Sequence, residues 1–299
     1  MAKANLTKTA NVAVAAREID FVSRFQDNWE GLREIMGIMR PIKKQPGTTL
    51  KVKSASITLQ PGNVGEGEEI PYSLAAVTET PISEMSLEKY AKAVSIESIK
   101  DHGYDDAVAR TDAAFLYELQ SDVMDRFYTF LLTGSKTATF TTFQMALAMA
   151  RGAVLNEFKS MKKSVTEVVG FVNLMDFYSY LGAADITVQS QFGMNYVMNF
   201  MGYRVVFLCS DDEIPQGKVV AVPVENICLY YVDPSESDFS RAGLEYTTAG
   251  QTSLIGFHTQ GNYNTAVSEC FALLGLTLFA EYLNGIAVVT IGDTEVPFA

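Results

Sequence analysis

The stretch Thr48–Gln60, TTLKVKSASITLQ, alternates along its length, with apolar Leu50, Val52, Ala55, Ile57 and Leu59 set among polar Lys51, Lys53 and Ser54. Successive side chains of a strand point to opposite faces, so the alternation predicts a strand with at most one face covered. Directly after it, PGNVGEGEE (Pro61–Glu69) is a turn rich in glycine and acid, and IPYSLAAVTETP (Ile70–Pro81) returns as a second extended segment. Pro71 and Pro81 lack backbone donors, which confines this segment to an edge or to loosely paired positions. The whole reads as a long, exposed two-stranded arm. An isolated hairpin is marginal in water, so this one needs a surface to lie on, either its own chain's body or a neighbouring subunit.

Working outward, Phe21, Val22, Phe25, Trp29, Leu32, Ile35, Met36 and Met39 recur at three- and four-residue intervals, the apolar face of a helix that Pro41 stops. Downstream, Leu87–Ile99 alternates as a strand and the chain turns at Asp101-His102-Gly103. From Tyr104 the period becomes helical for about thirty residues, through Val108, Phe115, Leu116, Leu119, Val123, Phe127 and Leu131, a helix of roughly 45 Å at 1.5 Å per residue. Asp105 or Asp106 is placed to cap it and Gly134 to close it. A turn (Gly134–Thr142) leads to a second helix, Phe143–Lys162, capped by Thr141 or Thr142. Strands are expected at Glu167–Asn173, Tyr203–Leu208, Lys218–Val222, Ile227–Val232, Leu244–Thr248, Ser253–Thr265 and Ile286–Ile291, with a short helix at Asp176–Leu181. Val267–Tyr282 reads equally as buried helix or strand. Helices and strands that do not alternate as regular βαβ units indicate an α+β fold.

The 299 residues carry a net charge of −12, distributed unevenly. Residues 1–46 hold eight Lys/Arg against five acids, +3, and the remainder sums to −15. A solvated polar arm is the bland reading of this asymmetry, contact with nucleic acid the functional one. No run of eighteen uncharged apolar residues is present, so no membrane span is expected, and residues 1–16 lack the continuous apolar segment of a secretion signal.

The residues for chemistry are sparse. Three scattered cysteines (Cys209, Cys228, Cys270) read as reduced, buried thiols. Two histidines, His102 and His258, leave little for a Ser–His or Cys–His pair or a zinc site. There is no GxxxxGK[ST] and no strand–GxGxxG–helix. The turn Gly62–Gly67 is glycine-rich, but Glu66, Glu68 and Glu69 would repel a phosphate, and the ligand order of an EF-hand is missing. The expectation is a non-enzyme with no catalytic residue, cofactor or metal.

Several stretches, in this order, resemble the tailed-bacteriophage major capsid proteins of the Hong Kong 97 fold. AKAVSIESIKDHGYDD (Ala91–Asp106), running into a helix that ends FLLTGS (Phe130–Ser135), is similar to the family's strand, turn and spine helix. VVGFVNLMDFYSYL (Val168–Leu181) and FMGYRVVFLCSDDEIPQGKVVAVPVENICLYYVD (Phe200–Asp233) resemble its axial-domain passages, and FAEYLNGIAVVTIG (Phe279–Gly292) its last peripheral strands. The resemblance implies an N-terminal arm (1–46), an extended hairpin loop (47–82), a peripheral domain with the spine helix (83–140 and 251–299) and an axial domain (141–250). It implies a head shell, icosahedral or prolate, of self-assembled pentamers and hexamers around double-stranded DNA. The location is the virion, after synthesis in the host bacterial cytoplasm, with scaffold, portal and decoration proteins as further partners and no membrane. The hairpin tip (Gly62, Asn63, Gly65, Glu66, Gly67, Glu68, Glu69) would lie on an adjacent subunit. Basic residues of the arm (Lys3, Lys8, Arg17, Arg24, Lys43, Lys44) would face the packaged DNA. Some family members crosslink through a lysine on this loop; the tip Pro61–Glu69 has none, so no covalent crosslinking is expected. The family's long N-terminal scaffolding segment has no counterpart in the sequence and is expected to be cleaved or supplied as a separate protein.

Two other classes compete. An encapsulin-type bacterial nanocompartment shares the fold, and the long hairpin and N-terminal arm favour the phage shell over it. A soluble enzyme or ligand-binding protein would be a monomer or small oligomer with a pocket. A tail-tube or fibre subunit would be β-dominated, against the two long helices.

Overall fold

The computed structural model describes residues 17, 18, 20–25, 40–45, 47–67, 69–85, 87–165, 167–182, 188–191, 194–224, 226–248 and 254–298. In chain order the elements begin with strands β1 (Arg40–Lys43), β2 (Thr49–Thr58), β3 (Leu74–Glu84) and β4 (Glu88–Ser95). Helix α1 (Ile96–Tyr104), a π-turn (Asp105–Ala109) and the spine helix α2 (Arg110–Leu131) follow. Next come β5 (Lys136–Phe140), α3 (Phe143–Ser160), β6 (Val168–Asn173), α4 (Leu174–Leu181), β7 (Gln189–Gln191), β8 (Met194–Met198), β9 (Val205–Cys209), β10 (Lys218–Pro223), β11 (Ile227–Tyr231) and α5 (Ser237–Arg241). The chain ends through β12 (Ile255–Asn262), β13 (Val267–Leu274), β14 (Leu276–Ala280) and β15 (Ala287–Ile291).

A mixed seven-stranded sheet, ordered β5-β15-β10-β6-β9-β8-β7, forms the centre. Its inner strands β15, β10, β6 and β9 are buried on both faces, and the alternation assigns each residue to one side. Val169, Phe171, Val205, Phe207, Val220, Val222 and Val288 pack toward α2. Val168, Val172, Val206, Leu208, Val219, Ala221 and Val289 pack toward α3. The spine helix presents Leu116, Leu119, Val123, Phe127 and Leu131 at three- and four-residue spacing, and Phe127 meets Phe171 edge-on at 5.6 Å between centroids. On the other face Tyr203, fully buried, donates its hydroxyl to Leu147 O at 2.7 Å, so its polar end is satisfied inside the core.

A second sheet, β12-β13-β4, packs against the spine, and a third, β1-β11-β14, carries the root of the hairpin. The helical residues 20–25 dock on the second sheet through Phe21, stacked on Phe257 at 3.9 Å. The rest of the helix expected over Phe21–Met39 lies outside the described residues.

Several expectations need correction. The strand read over Leu87–Ile99 stops at Ser95, whose side chain accepts from Ser98 N at 3.3 Å and caps α1; the turn expected at Asp101–Gly103 is helix as far as His102, with the break at Gly103 (φ 81, ψ 166). From Tyr104 the helical backbone runs unbroken to Leu131, as expected, but Asp105 and Asp106 sit inside its initial π-turn and do not cap it. Leu244–Thr248 is not a strand and contributes a single bridge, Thr247 to Phe257. The ambiguous Val267–Tyr282 is two strands broken at Gly275, where an added Cβ would lie 2.9 Å from Val232 Cβ. The turn Gly134–Thr142 contains β5, parallel to β15.

Candidate assembly interface

The hairpin begins where Gly47, at φ 73, turns the chain out of β1. Gly47 N donates to Met85 O and Met85 N to Thr48 O, each at 3.1 Å. Met85 itself is buried with Val232, against Leu87, Tyr230 and Phe239. It thus anchors both strands to the body. From this root β2 and β3 pair antiparallel from Thr49↔Glu84 to Thr58↔Leu74, with a bulge between Leu50 and Lys51, and form a sheet of their own. Ten residues at about 3.3 Å each carry the ladder roughly 33 Å.

None of the described residues covers the outer part. Ile57, Leu59, Ile70, Tyr72, Leu74 and Val77 are all exposed, Tyr72 to 92%. Ile57 pairs with Ala75, and Val77 stands two residues on, so Ile57 and Val77 share one face. Fully burying a side chain of this size contributes roughly 1.5–3 kcal/mol. Beyond the last pair the tip is held by Gln60 N donating to Ser73 Oγ at 3.2 Å. Gly62, Asn63, Gly65, Glu66, Gly67 and Glu69 are exposed there; Glu68 lies outside the described residues.

The basic residues expected to face a genome are not one group. Lys3 and Lys8 lie outside the described residues. Arg17 is half-buried: its guanidinium grips Asp112 and lies 2.6 Å from Cys270 Sγ, while Lys92 reaches the same carboxylate at 2.6 Å. It is therefore a clasp between the N-terminal segment and the spine helix and is unavailable to a polyanion. Arg24 is exposed, 3.8 Å from Asp20. Lys43 lies 2.8 Å from Asp233 and 3.6 Å from Glu236, and the hydrogen bond to Asp233 holds its ammonium above the ordinary value. Burial pushes the Asp233 carboxyl up, but hydrogen bonds from Lys43 and Ser235 outweigh it and hold the group below its usual range. Lys44 stands over the Tyr230 ring at 5.4 Å.

Sequence reasoning did not single out Glu18. It is buried and accepts from Thr247 Oγ1, Thr259 N and Thr259 Oγ1. Its only signal was an acid beside the apolar face that begins at Phe21.

The thiols of Cys209 and Cys270 are pushed up by burial, which keeps them in the unreactive protonated form. His102 ends α1, and His258 lies on β12 beside Phe271. Among the described residues no three His, Cys, Asp or Glu side chains group to hold a metal ion, and no helix is long and apolar enough to cross a membrane.

No protein-family model and no curated protein matches the chain by sequence. Its likeness is to solved structures. The mature capsid of bacteriophage PhiM1 aligns with a TM-score of 0.55 at 10% identity, over 87% of this chain and 87% of that one. The capsid of cyanophage P-SCSP1u gives 0.54 at 6%, over 86% and 87%. A virus-like particle from Pyrococcus furiosus gives 0.51 at 12%, over 91% and 99%. With 86–91% of the chain aligned to these shells, the fold is that of the Hong Kong 97-type capsid proteins.

Proposed function

We propose that this protein is a major capsid protein, a structural subunit without catalytic activity whose copies close into the head shell of a tailed bacteriophage around double-stranded DNA. The observation that carries the reading is the hairpin: a rigidly rooted ladder, exposed along its outer part, that is marginal alone and is covered by none of the described residues of its own chain. A neighbouring copy supplies the missing surface. The likeness to capsid structures at matched chain length supports the same reading. In this reading residues 1–46 are the arm, 47–82 the extended loop, 83–140 with 251–299 the peripheral domain and 141–250 the axial domain. Pentamers and hexamers are the building units. Scaffold, portal and decoration proteins are the further partners, and the virion is the location. Among the arm's described cations, Arg24 remains best exposed to meet DNA, and the lysine-free tip leaves the shell without covalent crosslinks.

The likeness to a virus-like particle supports a second reading, a protein-filled compartment of the same fold. Electron microscopy of the purified full chain, alone or co-expressed with its genomic neighbours, tests both. The expected result is closed particles with five- and six-fold clusters and a nucleic-acid interior. Particles filled with protein would favour the second reading. Only monomers or small oligomers under all assembly conditions would overturn the shell altogether.

A further inference from the structure

At the carboxyl end of α3 the chain presents a cleft of about 410 Å³. Phe158, Val165, Val224 and Tyr282 supply apolar wall, and Lys163 and Arg204 stand at it. These two cations are partly neutralised within the chain: Arg204 lies 2.7 Å from Glu167, and Lys163 lies 3.9 Å from Glu281 and over the Tyr282 ring at 4.0 Å. Two more are not. Lys159 and Lys162, adjacent to the cleft residues Phe158 and Lys163, are exposed and have no ion-pair partner among the described residues. Lys162 is held at a positive φ of 57 by the turn that ends the helix, where its N–H donates to Lys159 O at 3.0 Å. Lysines here complement the negative end of the helix dipole, but that calls for no apolar cleft beside them. On a chain of net charge −12, this is a local cationic spot beside a cleft with one apolar wall and a rim of Ser164, Asn226 and the paired charges Arg204–Glu167 and Lys163–Glu281.

The hairpin tip has the opposite character. Glu66 and Glu69 are exposed with no ion-pair partner among the described residues, and Ile70, directly after Glu69, is 69% exposed. Acid followed by a bare apolar side chain is the complement of lysines flanking a cleft with an apolar wall. Opposite charges brought together at an interface fix register and speed encounter more than they add raw affinity.

We propose that the cleft at the end of α3 is the socket for the hairpin tip of a second copy, with Glu66 and Glu69 placed against Lys159 and Lys162 and Ile70 lying on the apolar wall formed by Val165, Val224 and the packed Phe158–Tyr282 pair. This rests on the shell reading and names the patch on the neighbour that receives the tip. Surface charge pairs are screened by salt, so assembly should slow as ionic strength rises.

The test is a charge swap in the full-length chain, with particles separated on gradients, counted by electron microscopy and assayed for DNA. The double variants Glu66→Lys/Glu69→Lys and Lys159→Glu/Lys162→Glu should each lower particle yield about tenfold, and the quadruple swap should restore most of it. Unchanged thermal unfolding of each double variant's free subunits separates lost docking from lost folding; a quadruple variant that assembles shows the same independently. Wild-type particles together with full yield from either double variant would overturn the socket and leave the shell standing. So would a loss that the swap does not repair, or lysine variants that form shells at normal yield but with less DNA, which would assign the patch to nucleic acid. Wild-type protein that never forms particles would overturn the shell reading itself.

Discussion

Glu18 accepts two hydrogen bonds from one residue 241 positions away, from Thr259 N at 2.6 Å and from Thr259 Oγ1 at 2.8 Å. A third comes from Thr247 Oγ1 at 2.5 Å, and His258 Nδ1 lies 3.9 Å off. One carboxylate thus stitches the N-terminal segment to the edge of the β12-β13-β4 sheet. Hydrogen bonds to a charged group are stronger than neutral ones, and a buried donor left alone loses its hydration without return. Glu18→Ala should lower unfolding stability by about 2–3 kcal/mol, because it strands the Thr259 N–H. Glu18→Gln keeps an acceptor and should lose less. Urea unfolding of the free subunit measures both; equal, negligible effects would mean that the segment does not dock in solution.

Asp112 is shared by two cations, so its removal and the removal of either partner are unequal. Arg17→Met leaves Asp112 paired with Lys92 at 2.6 Å, and should destabilise by about 1 kcal/mol through lost packing and one lost bond. Asp112→Ala leaves two half-buried cations facing each other and should destabilise by roughly 3 kcal/mol. Thermal unfolding of the two variants checks the order, and the reverse order would mean that Arg17 is held mainly by its contact with Cys270.

Lys43 and Asp233 give the fold a pH dependence at the root of the hairpin. The Asp233 carboxyl is held below its unfolded value, so its contribution to stability is complete above about pH 4 and is lost as pH falls through the lower, folded value. Lys43→Met should raise the Asp233 pKa, followed by NMR titration of the side-chain carboxyl, and flatten the fall of stability below pH 4. No change in that titration would show the ion pair to be absent in solution.

The hairpin was legible from the sequence because apolar and polar residues alternate from Leu50 to Lys53 and again, one position out of phase, from Ser54 to Leu59, and turn residues bound the stretch. The spine helix was legible from its apolar stripe, but the short helix α1 before it was not. The alternation of Tyr90, Lys92 and Val94 runs on by accident into Ile96 and Ser98, and only the cap made by Ser95 distinguishes helix from strand there. Strands β1 and β5, of four and five residues, carry too few positions for any period to show. The socket at the end of α3 was invisible for a different reason: it joins residues near 160, 204, 224 and 282 that only folding brings together. Lys159, Lys162 and Lys163 suit the negative end of their own helix, and a sequence does not reveal that a cleft lies beside them.

Gly134 is required by a neighbour and not by its own backbone. A Cβ there would lie 2.6 Å from Ile286 Cγ2 and 2.8 Å from Ile286 O, just before β5 and β15 pair. Backbone cannot give way as a side-chain end can, so Gly134→Ala should push the two strands apart at the edge of the central sheet. The expected cost is about 2 kcal/mol, with faster amide exchange at Lys136–Phe140 and little change around the hairpin. Uniform loss of protection instead would mean that the strain spreads through the whole sheet.

Ile57 and Val77 separate folding from assembly. Both are more than 60% exposed on one face of a ladder that belongs to no other sheet. Replacing them with threonine keeps the β-branched shape and removes apolar surface, so in the free subunit the double variant Ile57→Thr/Val77→Thr should stay within about 0.5 kcal/mol of wild type. In a shell the same face lies against a neighbour, and the variant gives up part of the roughly 1.5–3 kcal/mol that each buried side chain contributes. A shell repeats that loss at every subunit, so the critical concentration for assembly should rise by at least tenfold while unfolding is unchanged. Light scattering against subunit concentration measures the first and urea unfolding the second. A variant that assembles at the wild-type concentration would show that this face stays in water after assembly, and that the neighbour covers the opposite face, around Leu74.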